Sequence, residues 1–233
     1  KQAILLAVLL SVTSQEAQAQ SDERKFEVGG QVSLLQLSTP AITTEICPPG
    51  LICFDLLMTV AQGRQTEPGF GGRIGYNFSH YFALEAEGNL FLRDRAQSGG
   101  RKVQGLVGAK VGKRFHTFGL FAKARPGFMR FSKGDYEDKP GTVCAATFPP
   151  PAGCFQPVSK TRFAVDLGGV AEWYPSKNTI VRFDAGDTII RFGRRNVIAT
   201  DISPQGNRSP VVVSLPAETK HNFQASVGIG YRF

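Results

Sequence analysis

Residues 222–233 read NFQASVGIGYRF. Phe223, Ala225, Val227, Ile229, Tyr231 and Phe233 share one parity, and Asn222, Gln224, Ser226, Gly228, Gly230 and Arg232 share the other. A helix repeats its faces about every 3.6 residues, so this alternation does not suit one; it suits a strand with one apolar and one polar face. With that stretch as template, seven more strands are expected at 25–37, 70–78, 82–92, 103–111, 118–128, 163–173 and from 179 past 185. Each repeats the alternation, as in Phe82, Leu84, Ala86, Gly88, Leu90 and Leu92.

The strands have about the 9–11 residues that a tilted strand needs to cross a bilayer. Their connections alternate in length. Short hairpins are expected near Ser79-His80, Phe115-His116-Thr117 and Pro175-Ser176-Lys177, and long loops at 38–69, 94–101, 132–160 and 193–220. Short turns at one end and long loops at the other are the signature of a transmembrane barrel with an even strand number. The expected fold is all-β: an eight-stranded antiparallel transmembrane β-barrel with short periplasmic turns and long extracellular loops. Aromatics collect in two zones. Phe26, Tyr76, Phe78, Tyr81, Phe82, Phe115, Phe118, Trp173, Tyr174, Tyr231 and Phe233 lie toward the turns, and Phe70, Phe91, Phe131, Phe163, Phe192 and Phe223 toward the loops. Two such belts mark the bilayer surfaces.

Residues 75–88 (GYNFSHYFALEAEG) resemble a strand–turn–strand segment of the small eight-stranded outer-membrane β-barrel superfamily, the group of the OmpA transmembrane domain and OmpX-like proteins. The resemblance covers residues 20–233. It implies a location in the bacterial outer membrane, contact with outer-membrane lipid and lipopolysaccharide, and handling by the barrel-assembly machinery. The alternating C-terminal strand resembles the signal that this machinery reads, which implies that role for Tyr231 and Phe233. Residues 1–19 are read as a signal peptide: Lys1, an apolar run of about ten residues, then Ala17-Gln18-Ala19, with cleavage after Ala19. Residues 20–233 form one barrel domain.

On the polar parity the charged residues are Glu27, Arg73, Glu85, Glu87, Lys110, Lys123, Arg125, Arg162, Asp166, Glu172, Arg182, Asp184 and Arg232. An eight-stranded barrel has room inside for little but side chains, and an isolated buried charge costs several kcal/mol. These groups are therefore expected to pair. Hairpin geometry places Arg73 near Glu87 and Arg182 diagonal to Glu172. It sets Lys110 opposite Lys123, which repels unless carboxylates such as Glu85, Glu87 or Asp166 intervene. A salt-bridged, closed lumen is the favoured reading, and a small ion-conducting path is the other. A soluble barrel would turn its apolar face inward instead.

Composition excludes other classes. The chain has 233 residues, 42% hydrophobic and 20% charged, with 27 Lys and Arg against 19 Asp and Glu, a net charge of +8. The mean hydropathy is −0.12, because an alternating barrel averages its two faces. Disorder, collagen, coiled coil and helical membrane spans are excluded. The basic charge has no nucleic-acid-binding module to sit on. Arg64, Arg101, Lys133, Lys139, Arg194, Arg195 and Arg208 lie in the expected loops, where they serve lipopolysaccharide phosphates or plain solubility. The apolar stretch at 54–60 is expected to extend the barrel as a strand or to form a contact surface. Cys47, Cys53, Cys144 and Cys154 allow three pairings, of which Cys47–Cys53 and Cys144–Cys154 are favoured by short separation. Their spacing and the lack of nearby His argue against zinc. His80 and His116 fall in turns. His221 is followed by Asn222 and Phe223, without the His-x-Ser pair of the lipid A deacylases, so no enzyme, cofactor or metal is expected.

Overall fold

A computed structural model describes residues 25–38, 42–45, 57–60, 63–142, 151–202 and 208–233. Twelve strands are present among them: β1 (Phe26–Ser38), β2 (Ile42–Glu45), β3 (Leu57–Val60), β4 (Arg64–Asn77), β5 (Phe82–Phe91), β6 (Lys102–Arg114), β7 (Phe118–Asp138), β8 (Phe155–Trp173), β9 (Thr179–Phe192), β10 (Arg195–Ile202), β11 (Arg208–Leu215) and β12 (Glu218–Arg232). Eight of them close a barrel in the order β1-β12-β9-β8-β7-β6-β5-β4, every neighbouring pair antiparallel. The first and last strands seal it in register from Glu27↔Arg232 to Gln36↔Phe223. Phe26 and Phe233 exchange both backbone hydrogen bonds at 3.0 Å. Closure leaves no barrel edge with unpaired backbone groups, which is what a sheet in hydrocarbon requires.

Two of the three tight turns follow from local chemistry. The Ser79 hydroxyl accepts the backbone N–H groups of Tyr81 and Phe82, and the Ser176 hydroxyl accepts those of Asn178 and Thr179. Short polar side chains that bind the backbone two or three residues on favour turns over continued strand. Between the two rims the outward parity is apolar: Val28, Ile74, Leu84, Val107, Leu120, Phe183 and Ile229 are all exposed, Ile229 by 62%. In water such a band would be a large penalty; in a bilayer it is the matching surface.

On the turn side, neighbouring rings run Phe82–Phe78–Tyr76–Phe26–Phe233–Tyr231, with centroids 4.7 to 6.3 Å apart. Tyr174 departs from the expected belt and turns into the lumen mouth, where it hydrogen-bonds Glu172. Phe91 and Phe131 depart too. Both are buried inside the barrel, and Phe192 packs against them. Their zone pointed to a belt, but Phe91 lies on the inward parity between Leu90 and Leu92.

Several strands overrun their expected limits. β4 begins at Arg64, β7 continues to Asp138 and β8 starts at Phe155. Beyond the bilayer both faces of a hairpin meet water, so alternation fades while backbone pairing persists. A register shift between Phe131 and Asp135 marks that transition on β7. Leu57–Val60 forms a strand, but it pairs with Ile42–Glu45 in a separate two-stranded sheet rather than extending the barrel. Residues 54–56 lie outside the described residues, as do 1–19, Cys47, Cys53 and Cys144. No described cysteine is free. On the loop side β10 and β11 form a second hairpin. It is pinned to β7 where the Asn196 N–H donates to Asp135 (2.8 Å) and the Asn196 side-chain amide donates to the Tyr136 carbonyl (2.9 Å).

Candidate functional site

The inward face is built in layers from the turn side upward. At the turn-side mouth the Glu27 carboxylate accepts from Asn77 (2.8 Å), Lys110 (3.2 Å), Arg114 (3.2 Å) and Arg232 (2.9 Å). The Tyr174 hydroxyl donates to Glu172 (2.7 Å) and accepts from Arg114 (3.1 Å), while Arg232 stacks over its ring at 4.7 Å. Arg114 and Tyr174 are members that parity reading missed. Arg114 stands at the end of β6 and Tyr174 beyond β8, where alternation no longer assigns a face.

Above them lies the main charge layer. Arg125 reaches four carboxylates: Glu85 (3.0 Å), Glu87 (2.5 Å), Asp184 (3.4 Å) and Asp166. Arg182 binds Glu85 with both terminal nitrogens, at 2.6 and 2.8 Å, and Asp184 at 2.8 Å. Two parallel N–H···O bonds from one guanidinium fix its plane as well as its charge. All of these side chains are at least 95% buried. Lys110 and Lys123 are register partners across β6 and β7. Their repulsion is relieved by carboxylates from other strands: Lys110 meets Glu172 (2.5 Å) and Glu27, and Lys123 meets Asp166 (2.6 Å) and Asp184. Of the three carboxylates expected there, only Asp166 serves; Glu85 and Glu87 go to the arginines. Glu172 and Arg182 are directly opposed rather than diagonal. Arg73 is the register partner of Glu87, yet its guanidinium lies over Gly29, Gly228 and Gly230 instead, within about 3.4 Å of where a β-carbon would sit on each.

Next comes a neutral amide layer. Asn89 donates to Glu87 (2.7 Å) and Gln104 (2.9 Å) and accepts from Gln31 (2.9 Å). Gln104 and Gln224 exchange hydrogen bonds at 3.0 and 3.1 Å, and Thr188 donates to Gln224. These residues share the polar parity, but a search for charges passes over them. The layer ends in an apolar plug: Leu35, Leu37, Phe91, Met129, Phe131, Ala164 and Ile190, all buried, with Phe192 against them. Side chains thus fill the lumen from the Glu27 cluster to the plug.

The loop-side mouth sits over that plug. Arg195, expected in a loop to meet lipopolysaccharide phosphates or to give plain solubility, is only 6% exposed. It donates to Glu218 (2.7 Å), and its guanidinium lies 4.0 Å from the centre of the Phe192 ring. Arg162 stands apart from the lumen network; it is the register partner of Met129 in the plug, and its guanidinium reaches toward Gly193 at the mouth. Lys102 and Glu67, both buried, pair at 3.4 Å. Lys133 pairs with Asp94 (3.1 Å). On the outer face near the rim, His221 Nδ1 and Asp187 lie 2.5 Å apart. The Ser38 hydroxyl donates to the His221 backbone carbonyl (3.0 Å) rather than to the ring, so the arrangement is not that of a hydrolase triad, in which the base must meet the hydroxyl.

Solved structures similar to this chain include bacterial surface and outer-membrane proteins. Neisserial surface protein A (NspA) aligns over 89% of this chain and 97% of its own, with 12% identity and a TM-score of 0.47. Ail of Yersinia pestis, in complex with the heparin analogue sucrose octasulfate, covers 90% and 99% with 13% identity and a TM-score of 0.43. OprG from Pseudomonas aeruginosa covers 90% and 95% with 9% identity and a TM-score of 0.43. No curated protein matches the sequence. A family model described as "Outer membrane protein beta-barrel domain" matches residues 4–233. With an apolar lipid-facing band, a polar interior and eight closed antiparallel strands behind that match, the chain belongs to the outer membrane protein β-barrel domain family.

Proposed function

We propose that this protein is a non-enzymatic outer-membrane barrel that acts through its loop side, as a surface-binding or envelope-supporting protein with a sealed, salt-bridged lumen. One observation carries the reading. The interior is spent on side-chain pairing, whereas the loop side is an ordered superstructure in which β7 and β8 overrun the barrel and the β10–β11 hairpin is pinned to β7. A fold that only needed to close would end its strands at the rim. In this reading residues 1–19 direct export and are removed, and Tyr231 and Phe233 form the signal for the barrel-assembly machinery. Cys47 pairs with Cys53 and Cys144 with Cys154, stapling the exposed loops. Lipid and lipopolysaccharide contact the outward face and its rim.

Deleting residues 197–213 tests it. The variant is expected to retain the different electrophoretic migration of boiled and unboiled samples that marks a folded barrel, yet to lose attachment of expressing cells to an extracellular-matrix and glycan array. Undiminished attachment would sink the reading.

A further inference from the structure

At the loop-side mouth, three guanidinium N–H groups are buried without a partner: Nε and Nη2 of Arg162, and Nη1 of Arg195. Burying a donor without an acceptor costs about 1–3 kcal/mol, more when it is charged. Three around one short segment therefore call for an acceptor. Arg162, on β8, lies beside Gly193, its Nη1 3.1 Å from where a β-carbon would sit. Arg195, at the start of β10, stacks on Phe192. Both groups thus border the same turn, residues 192–195. Arg195 also lines a cavity of about 50 Å³ with Phe192, Phe131, Ser98, Lys133 and Tyr136.

The surroundings are built. Glu218 holds one nitrogen of Arg195, and the Asn196 bonds to Asp135 and Tyr136 anchor the strand that carries it. The nearby acids are already committed: Glu218 to Arg195 and Lys220, Asp135 to the Asn196 and Tyr136 amides, and Asp94 to Lys133. Burial pulls the Arg195 guanidinium below its ordinary pKa range, and the neighbouring Arg162 charge adds to that. Both groups would gain from an anion.

The geometry points to an oxyanion subsite in the outer mouth, formed by Arg162 and Arg195 and shaped for a phosphate or sulfate monoester on a soluble molecule arriving from outside. The Nε/Nη2 edge of Arg162 is the fork that takes two oxygens side by side. The free Nη1 of Arg195 supplies a third donor, and a phosphate or sulfate monoester has a third terminal oxygen to meet it, so that each donor finds its own oxygen. The ligand is soluble because Arg162 is on the inward parity, whereas lipid phosphates sit against the outward face. The apolar plug beneath bars passage, so the subsite binds rather than conducts. This rests on the loop side being the ligand-facing surface.

The test is titration of folded protein in micelles with inorganic phosphate, sulfate, glucose 6-phosphate and lipopolysaccharide against chloride at matched ionic strength, followed by NMR of the arginine Nε–H groups. Saturable shifts are expected at Arg162 and Arg195. Arg162→Gln and Arg195→Gln should each weaken binding by about tenfold or more, while the neighbouring Arg194→Gln leaves it unchanged. Arg162→Lys keeps the charge but loses the fork, and should also bind more weakly. Non-saturable shifts, or binding intact in both glutamine variants, would overturn the subsite. Response to lipopolysaccharide but not to glucose 6-phosphate would overturn the soluble ligand. A flat titration alongside loop-dependent cell attachment rejects the subsite alone; lost attachment specificity with intact titration rejects only the broader reading.

Discussion

Arg125 shows what one lumen side chain carries. It is 1% exposed and neutralises parts of four carboxylates contributed by β5, β8 and β9. Replacing it with methionine keeps most of the volume and leaves those acids short of one cation in a site that water does not reach. Removing one partner of a buried ion pair costs about 3–5 kcal/mol. Arg125→Met is therefore expected to lower the urea midpoint of refolded protein by a corresponding amount; an unchanged midpoint would mean that Lys123 and Arg182 suffice alone. The inward parity of Arg125 was legible from the alternation Phe118, Leu120, Ala122, Ala124 around it. Its partners were not legible. Arg182 and Glu85 are 97 residues apart, on β9 and β5, which do not touch along the sheet. They meet across the lumen, and which residues share a level depends on strand stagger around the whole barrel.

At the scale of strands, inward glycines let the sheet coil tightly around such long side chains. Gly108 on β6 is the clearest instance. A β-carbon there would stand 2.1 Å from the Ala124 carbonyl oxygen of β7, a backbone atom that cannot swing aside. Gly88 on β5 faces outward, and a β-carbon there would have its nearest neighbour at 3.9 Å. Gly108→Ala is expected to reduce sharply the heat-modifiable folded band, and Gly88→Ala to leave it intact. Equal behaviour of the two would refute close β6–β7 approach as the reason. Strand boundaries show the converse limit of sequence reading. Period-2 alternation exists only where the two faces meet different surroundings, so it revealed the membrane-embedded parts of β7 and β8 and not their extensions. Phe91 and Phe131 fit the same logic. An apolar residue on the inward parity belongs to a plug, however well its position suits a belt.

For the whole molecule, two different seals lie in series, the ionic layer around Arg125 and the apolar plug around Phe91 and Phe131. Purified protein inserted into planar bilayers is therefore expected to be electrically silent. It should stay silent when Phe91→Ala and Phe131→Ala are combined, since the ionic layer remains. Discrete conductance steps in the wild type, altered by Lys123 or Arg125 substitution, would instead establish a path through the lumen. The sequence by itself determined which residues of each strand share a face and how many strands cross, because alternation is local; the aromatic belts and the one-sided loops, not parity alone, assigned the apolar face to lipid and the charges to the lumen. Only the tertiary structure decided which charges pair, that a hydrophobic plug caps them, and that guanidinium nitrogens of Arg162 and Arg195 are left buried and unsatisfied at the mouth. Those outcomes depend on stagger and closure, which bring residues from distant strands to one level.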